Sequence, residues 1–216
     1  MRWCLAAGAA ATLGLSSSAA AGFPTSSGPG GLGTEVPFDS RLAREYFSYY
    51  LPTDTPEALR IRDEVQKLHA DHQAAMELAK AGAVSQNAEV RDLAHRIATE
   101  MDRIDWTLVR VAKDSLLDLD GTAYDAAVQS WTPTLQEVQG ASGPDFDQRY
   151  LQSVVKVLES ALQTVDQLRP QAKKALRQQL GSVLERDHKV LQGELSRARS
   201  LSSAVAGRAV RDGQQG

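Results

Sequence analysis

Apolar residues recur every three or four positions along four stretches of the chain, which is the spacing of one face of a helix. The first stretch predicts a helix over about residues 56–81. Its apolar stripe consists of Ile61, Val65, Leu68, His72, Ala75 and Ala79. Thr55 suits the N-cap, Pro56 suits the first helical position and Gly82 suits the C-terminal end. This pattern predicts a long amphipathic helix with one histidine on its buried stripe.

The second stretch predicts a helix from about Ala88 to Leu117. Its apolar face is formed by Val90, Leu93, Ile97, Met101, Ile104, Leu108 and Val111. Asn87 precedes this face as the expected N-cap, and Asp92 and Arg96 form a supporting pair four residues apart. The first two helices are therefore predicted to be of similar length.

The last two stretches predict helices from Pro144 to Leu168 and from Pro170 to about Ala204. The third apolar face consists of Phe146, Tyr150, Val154, Leu158, Ala161 and Val165. The fourth consists of Leu180, Leu184, His188, Leu191, Leu195 and Ala198. Proline is favoured at the first position of a helix, so it can begin both elements. A second histidine, His188, is thus predicted to lie on a buried stripe.

The connections between the stripes predict the topology. Residues 82–87 and 168–170 are short connections, so the helices that they join should be antiparallel neighbours. Residues 118–143 are predicted to be irregular apart from one short helix from Thr132-Pro133 to Val138. The predicted fold class is all-α: a ferritin-like antiparallel four-helix bundle with a longer crossover between helices 2 and 3. The ferritin-like assignment is an analogy of fold and carries no function.

The first residues have the pattern of an export signal. Arg2 is its positive region, the apolar run from Trp3 to Leu15 is too short to span a bilayer, and Ala19-Ala20-Ala21 is a cleavage site of the A-x-A type. The expected divisions are a signal peptide at 1–21, a flexible Gly/Pro/Ser linker at 22–38, a helical bundle domain at 39–204 and a disordered tail at 205–216. The expected location is periplasmic or secreted, with no transmembrane segment in the mature chain.

The bundle domain is expected to begin with a short extra helix over Asp39 to Leu51. Leu42, Tyr46 and Tyr49 are spaced by four and three residues and form one apolar face. This helix is predicted to pack across the bundle, and a partner-binding surface is the alternative.

Composition and motifs exclude several classes of function. The net charge of −3 argues against nucleic-acid binding. The single cysteine, Cys4, would leave with the signal, so the mature chain would have no thiol nucleophile. There is no glycine-rich phosphate loop and no G-x-S-x-G elbow. We therefore expect a non-enzymatic protein without a catalytic site, with an unidentified protein partner or self-association.

The candidate metal ligands are His72, Glu185 and His188. A ferritin-like di-iron site takes a carboxylate from each of two helices and a Glu-x-x-His element from each of the others. Glu185 and His188 form one such element, and no second is present. Met101 would favour copper as an additional ligand, and His69 with His72 could contribute to a zinc or copper site. Because the set is incomplete, we expect no cofactor, with iron, copper or zinc as the alternative. Hydrogen-bonded core or boundary histidines explain His72 and His188 without a metal.

The element Phe146-Asp147-x-x-Tyr150 resembles the start of the third helix in an exported, ferritin-like domain family of unknown function, family four-one-four-two, often labelled an outer-membrane protein. The resemblance covers about residues 60–202. It implies a ferritin-like bundle in the cell envelope and matches His188 to a histidine of the family's fourth helix. Where the family often carries an Asp-His pair, this chain has Glu100 and Met101, and Leu158 stands where a further histidine is common.

Two functions remain open from the sequence. The first is a non-enzymatic exported helical bundle that serves as a structural or interaction module of the cell envelope. The alternative is a metal-handling or stress-related ferritin-like protein. Phe146, Asp147 and Tyr150 allow a recognition motif, but core anchoring by the two rings and stabilisation of the helix N-terminus by Asp147 is the favoured interpretation.

Overall fold

A computed structural model describes residues 55–115, 117–174 and 178–212 of the chain. Within these ranges the chain forms helices and no strand, which confirms the all-α class. The helices are α1 (Pro56–Gly82), α2 (Ala88–Asp114), α3 (Thr122–Gly140), α4 (Pro144–Lys174) and α5 (Gln178–Asp212). The predicted signal peptide, the predicted linker and the predicted extra helix over 39–51 lie outside the described residues, as do residues 213–216 of the predicted tail.

The first two helices begin at the caps that the sequence predicts. The Thr55 hydroxyl oxygen accepts a hydrogen bond from the backbone N–H of Ala58 at 3.2 Å. The side-chain oxygen of Asn87 accepts one from the N–H of Glu89 at 3.0 Å. Each bond satisfies a backbone donor that has no partner inside its own helix. Local chemistry therefore sets both helix starts.

Four helices pack around one apolar core. Both α1 and α5 pack against α2 and against α4, so the four helices surround the core in the order α1, α2, α5, α4. The side chains of Met101 on α2 and Leu158 on α4 are both fully buried in this core. The predicted helix 3 face is thus confirmed at Leu158. The remaining helix, α3, packs against α1 and more lightly against α4.

The crossover is more helical than the sequence analysis predicted. Residues 118–143 were expected to be irregular, but α3 has 19 residues and contains Pro133 in its interior. Trp131, Leu135 and Val138 pack against the core at spacings of four and three. Burial of this face outweighs the backbone hydrogen bond that Pro133 cannot donate. The prediction of a helix beginning at Thr132-Pro133 was therefore wrong.

The boundary between the last two helices also differs from the prediction. Pro170 was expected to begin the final helix, but α4 continues through Pro170 to Lys174. Leu168 and Ala172 flank this proline and are both buried, so the continuing helix gains apolar contacts. The final helix begins at Gln178 and extends to Asp212, beyond the predicted end near 204. Proline alone was an unreliable boundary signal here because packing compensates for its missing N–H.

Candidate functional site

Asp105 on α2 is the centre of a buried polar cluster. Its oxygen Oδ1 lies 2.8 Å from Nδ1 of His69 and 3.2 Å from Nδ1 of His72. Its other oxygen accepts a hydrogen bond from the Gln73 side-chain amide at 2.9 Å. The three partners share one face of α1, so a single carboxylate joins three side chains of the neighbouring helix. The sequence analysis missed Asp105 as a site residue because it lies one position beyond the stripe residue Ile104.

The charge of Asp105 is stabilised by these partners. Burial disfavours its ionised form, but hydrogen bonds from His69 and His72 outweigh this effect and lower the pKa of Asp105 to about 2. The carboxylate is therefore ionised at neutral pH and can accept an Nδ1–H from each imidazole. The ring of Tyr124 stacks on His69 with the two centroids 5.3 Å apart. The cluster thus connects α1, α2 and α3.

His72 and Asp187 are buried polar groups with unused hydrogen-bonding capacity. Both residues are fully buried. The Nε2 atom of His72 and both carboxylate oxygens of Asp187 have no hydrogen-bond partner among the described residues. Burial raises the pKa of Asp187 to about 7, against the smaller opposing effect of His72. A substantial fraction of Asp187 is therefore protonated at neutral pH, which reduces the cost of burying it.

The three predicted metal ligands have different surroundings. His72 is held by Asp105, whereas Glu185 accepts hydrogen bonds from Arg169 Nε at 3.2 Å and Nη2 at 2.7 Å. His188 Nε2 lies 3.2 Å from Oδ1 of Asp166 on α4. In the ranges that the structure describes, no group of three His, Cys, Asp or Glu side chains is placed to hold a metal ion.

His188 lies at the boundary of the apolar stripe of α5 and not inside the core. Asp187 is fully buried, whereas the side chain of His188 is 18% exposed. Successive helical residues differ by about 100° around the axis, so a shift of one position changes which side chain faces the core. The residue types suggested the wrong choice, because an aspartate without a partner is rare in a core. The spacing of Leu184 and Leu191 permits either residue between them.

Asp71 joins α1 to two other helices. It is fully buried and accepts hydrogen bonds from the Trp131 indole Nε1 at 2.7 Å and the Ser160 hydroxyl at 3.0 Å. Burial raises the pKa of Asp71, although both hydrogen bonds act in the opposite direction. This carboxylate therefore holds α3 and α4 against α1, and Trp131 is a polar anchor as well as an apolar one.

The Phe-Asp-x-x-Tyr element holds the connection between α1 and α2. Tyr150 is fully buried, and the partly buried ring of Phe146 stacks on it with the centroids 6.0 Å apart. The Ser85 hydroxyl, in the connection, donates a hydrogen bond to Asp147 Oδ1 at 2.5 Å. Anchoring of the core by Tyr150 is thus confirmed. The hydrogen bond to Ser85 is an additional function of Asp147 that the sequence did not predict.

These features define an all-helical domain whose buried histidine and aspartate side chains join neighbouring helices. The family described as domain of unknown function (DUF4142) matches residues 53–201, and the chain belongs to this family. This result confirms the resemblance carried by the Phe-Asp-x-x-Tyr element. Comparisons with curated proteins and with solved structures found no match. Among the described helices, none is long and apolar enough to cross a membrane.

Proposed function

We propose that this protein is a non-enzymatic, exported helical bundle with a ferritin-like arrangement of helices that serves as an interaction module of the cell envelope. The observation that carries the proposal is the use of the buried polar side chains. Asp105 accepts hydrogen bonds from three side chains of α1, and Asp71 accepts two from α3 and α4. These carboxylates thereby stabilise contacts between helices, whereas a catalytic carboxylate must reach a substrate.

The outer face of α2 supports the interaction part of the proposal. Trp106 is 62% exposed, although tryptophan is usually well buried. The guanidinium carbon of Arg110 lies 4.9 Å from the centre of the Trp106 ring and holds one face of the indole. Tryptophan and arginine are the residues that most often dominate binding energy at protein interfaces. We therefore assign the contact with a partner protein, or with a second copy of the chain, to this face.

Substitution of Trp106 tests the interaction module. We would compare cross-linked complexes in intact cells, and sedimentation of the purified protein, for the wild type and Trp106→Ala. Val128→Ala is the matched control, because Val128 is also an exposed apolar residue, at 39%, but lies on α3. Complexes should be lost in Trp106→Ala and kept in the control. If Trp106→Ala sediments like the wild type and forms the same cross-linked complexes in cells, this face is not the interaction surface.

Export has its own test. The prediction of export rests on the A-x-A cleavage site at Ala19-Ala20-Ala21, which follows a short apolar run. The protein recovered from the envelope or medium should begin near Gly22, as read by N-terminal sequencing. A protein that retains Met1 and stays in the cytoplasm would contradict export, but would leave the result at Trp106 unaffected.

One observation favours metal handling as a second candidate function. His72 directs Nδ1 to a carboxylate, as metal-binding histidines commonly do, and its Nε2 atom has no partner among the described residues. The Asp187 oxygens also have no hydrogen-bond partner in the part of the chain that the structure describes. Two such residues are fewer than a stable site requires, so we favour the interaction module. Elemental analysis of the purified protein distinguishes the two functions.

A further inference from the structure

An open groove of about 520 Å³ lies on the surface of the bundle, where α4 packs against α5. The described residues that line this groove are Gln152, Val155 and Lys156 on α4, and Arg199, Ser202 and Ser203 on α5. None of these lining residues is acidic, although acidic residues outnumber basic residues in the whole chain by 27 to 24. The groove is therefore a locally positive surface on a chain of negative net charge.

The groove combines an apolar base with a positively charged rim. Val155 is partly buried, packs against the core and leaves apolar surface in the groove. Lys156 and Arg199 are exposed and line the groove from opposite helices. Their aliphatic stems extend the apolar surface while their charged ends stay in water. A ligand that matches this groove should therefore carry an apolar side flanked by negative charge.

Both cations are available to such a ligand. The ammonium group of Lys156 and the hydroxyl group of Ser202 have no partner among the described residues. Arg199 donates a hydrogen bond from Nη2 to Oε1 of Glu159 at 2.7 Å. Both side chains of this ion pair are exposed, and pairs of this kind contribute little to stability. Because a guanidinium group has five N–H donors, Arg199 can bind a second carboxylate as well.

A different pair of helices in the same bundle shows how such a groove can be filled. On the other side of α4, the helix α3 packs against both α1 and α4. Its apolar face consists of Trp131, Leu135 and Val138, which pack against the core. The side-chain ridges of one helix fit the grooves between others, so a third helix can lie along two packed ones. Between α4 and α5 no described helix does so, since Gln152 and Ser203 are exposed there.

We propose that the groove between α4 and α5 binds an acidic, amphipathic helix of a partner protein. The apolar stripe of that helix lies on Val155, as in other complexes in which an amphipathic helix occupies a groove. Carboxylates beside the stripe bind the ammonium group of Lys156 and the guanidinium group of Arg199. The groove is separate from the surface around Trp106, because α2 and α4 are diagonal in the order α1, α2, α5, α4. The two assignments therefore stand or fall independently.

Size and charge favour an acidic helix over other anionic partners. An inorganic phosphate ion is much smaller than the groove and would leave the apolar surface of Val155 uncovered. An anionic membrane surface attracts clusters of about four to eight basic residues, whereas two of the described residues that line this groove are basic. A helix brings apolar side chains and carboxylates together, so it matches both the base and the rim of the groove.

Selection of binding peptides on the full chain tests the proposal. The probe is a displayed library of amphipathic peptides of about five helical turns, in which the positions beside the apolar stripe are randomised. Glutamate and aspartate should be enriched at those positions. The affinity of a selected peptide, measured by fluorescence anisotropy, should fall about tenfold for Lys156→Glu, because repulsion replaces attraction at the rim. Lys156→Arg keeps the charge and should keep the affinity.

Two control variants locate the binding site. Lys189→Glu makes the same charge change at an exposed position of α5 that does not line the groove, so it should bind the peptide like the wild type. Trp106→Ala should also bind it normally. Selected peptides without acidic residues, or peptides that bind the wild type and Lys156→Glu equally, would overturn the proposal. So would peptides whose binding is lost in Trp106→Ala.

Two further measurements address the other occupants. The full chain would be sedimented alone, and also with vesicles made of equal parts of phosphatidylcholine and phosphatidylglycerol. We expect no self-association and no vesicle binding that depends on Lys156. Vesicle binding that is lost in Lys156→Glu, without peptide binding, would assign the groove to a membrane surface instead. A dimer of the wild type that is lost in Lys156→Glu would assign it to a second copy of the chain.

Discussion

The buried ring of Tyr150 lies against Gly82, so that a β-carbon at position 82 would come within 2.3 Å of the Cζ atom of the ring. Tyr150 belongs to the second turn of α4, whereas Gly82 is the last residue of α1. One turn before Tyr150, Asp147 accepts the hydrogen bond of Ser85 in the adjoining connection. The start of α4 therefore packs directly on the end of α1 and on its connection to α2.

Gly82→Ala should destabilise the domain by about 1–3 kcal/mol, because the added methyl group overlaps the buried ring and the core must shift to accept it. Urea unfolding followed by circular dichroism measures this change. Gly193→Ala is the control: its β-carbon would meet only Arg197 Nη1, at 3.6 Å, which is ordinary contact. Since alanine is the better helix former, the control should stabilise α5 by up to about 1 kcal/mol. Equal effects of the two variants would contradict the close packing at Gly82.

Asp105→Asn should destabilise the domain by about 1–3 kcal/mol, because a neutral amide replaces a charged hydrogen-bond acceptor and can serve only part of the same partners. The loss follows because His69, His72 and Gln73 all depend on this carboxylate. Asp102→Asn, at an exposed position of the same helix, should change the free energy of unfolding by less than about 0.5 kcal/mol.

Acid should reproduce part of the Asp105 effect. The pKa of Asp105 is lowered from 3.8 to about 2 in the folded protein. Between these values the unfolded state binds a proton that the folded state does not, so stability falls as the pH falls through this window. Asp105→Asn should lack this component in pH-dependent unfolding curves. An unchanged acid limb in the variant would show that Asp105 is not the group responsible.

Asp187 should have the opposite dependence on pH. Its pKa is raised from 3.8 to about 7 by burial, so between these values the folded state keeps a proton that the unfolded state has lost. Stability therefore falls as the pH rises from about 4 to about 7, and the penalty is fully present above that range. Asp187→Asn should be less sensitive to pH over the same interval and relatively more stable at pH 8. A wild-type stability that rises steadily from pH 4 to pH 8, unchanged in Asp187→Asn, would contradict this assignment.

The purified mature protein should carry less than one equivalent of iron, copper or zinc per chain after dialysis at neutral pH, as measured by elemental analysis. Glu185 and His188 are engaged by Arg169 and Asp166, away from the partners of His72. His188→Ala should change thermal stability only modestly, because its ion pair is partly exposed to solvent. One or more tightly held ions per chain, lost in His188→Ala, would establish the metal-handling function instead.

Local features were predictable because a few neighbouring residues determine them. The caps at Thr55 and Asn87 each satisfy a backbone donor two or three residues away, so their effect is independent of the rest of the chain. The apolar stripe through Met101 predicted a buried face because its spacing matches the helical period. The Phe-Asp-x-x-Tyr element indicated the family for a similar reason, as a short run of residues with its own spacing.

Contacts between distant parts of the chain determined the rest. The helix continues past Pro133 and Pro170 because burial of neighbouring residues compensates for each missing N–H, and that burial depends on other helices. Asp187 rather than His188 faces the core because packing sets the rotation of α5 about its own axis. The spacing of the apolar residues does not determine which of these two adjacent side chains points inward. The polar cluster at Asp105 has the same origin: its partner His69 lies 36 residues away in sequence. Only the packing of α1 against α2 brings their side chains within hydrogen-bonding distance.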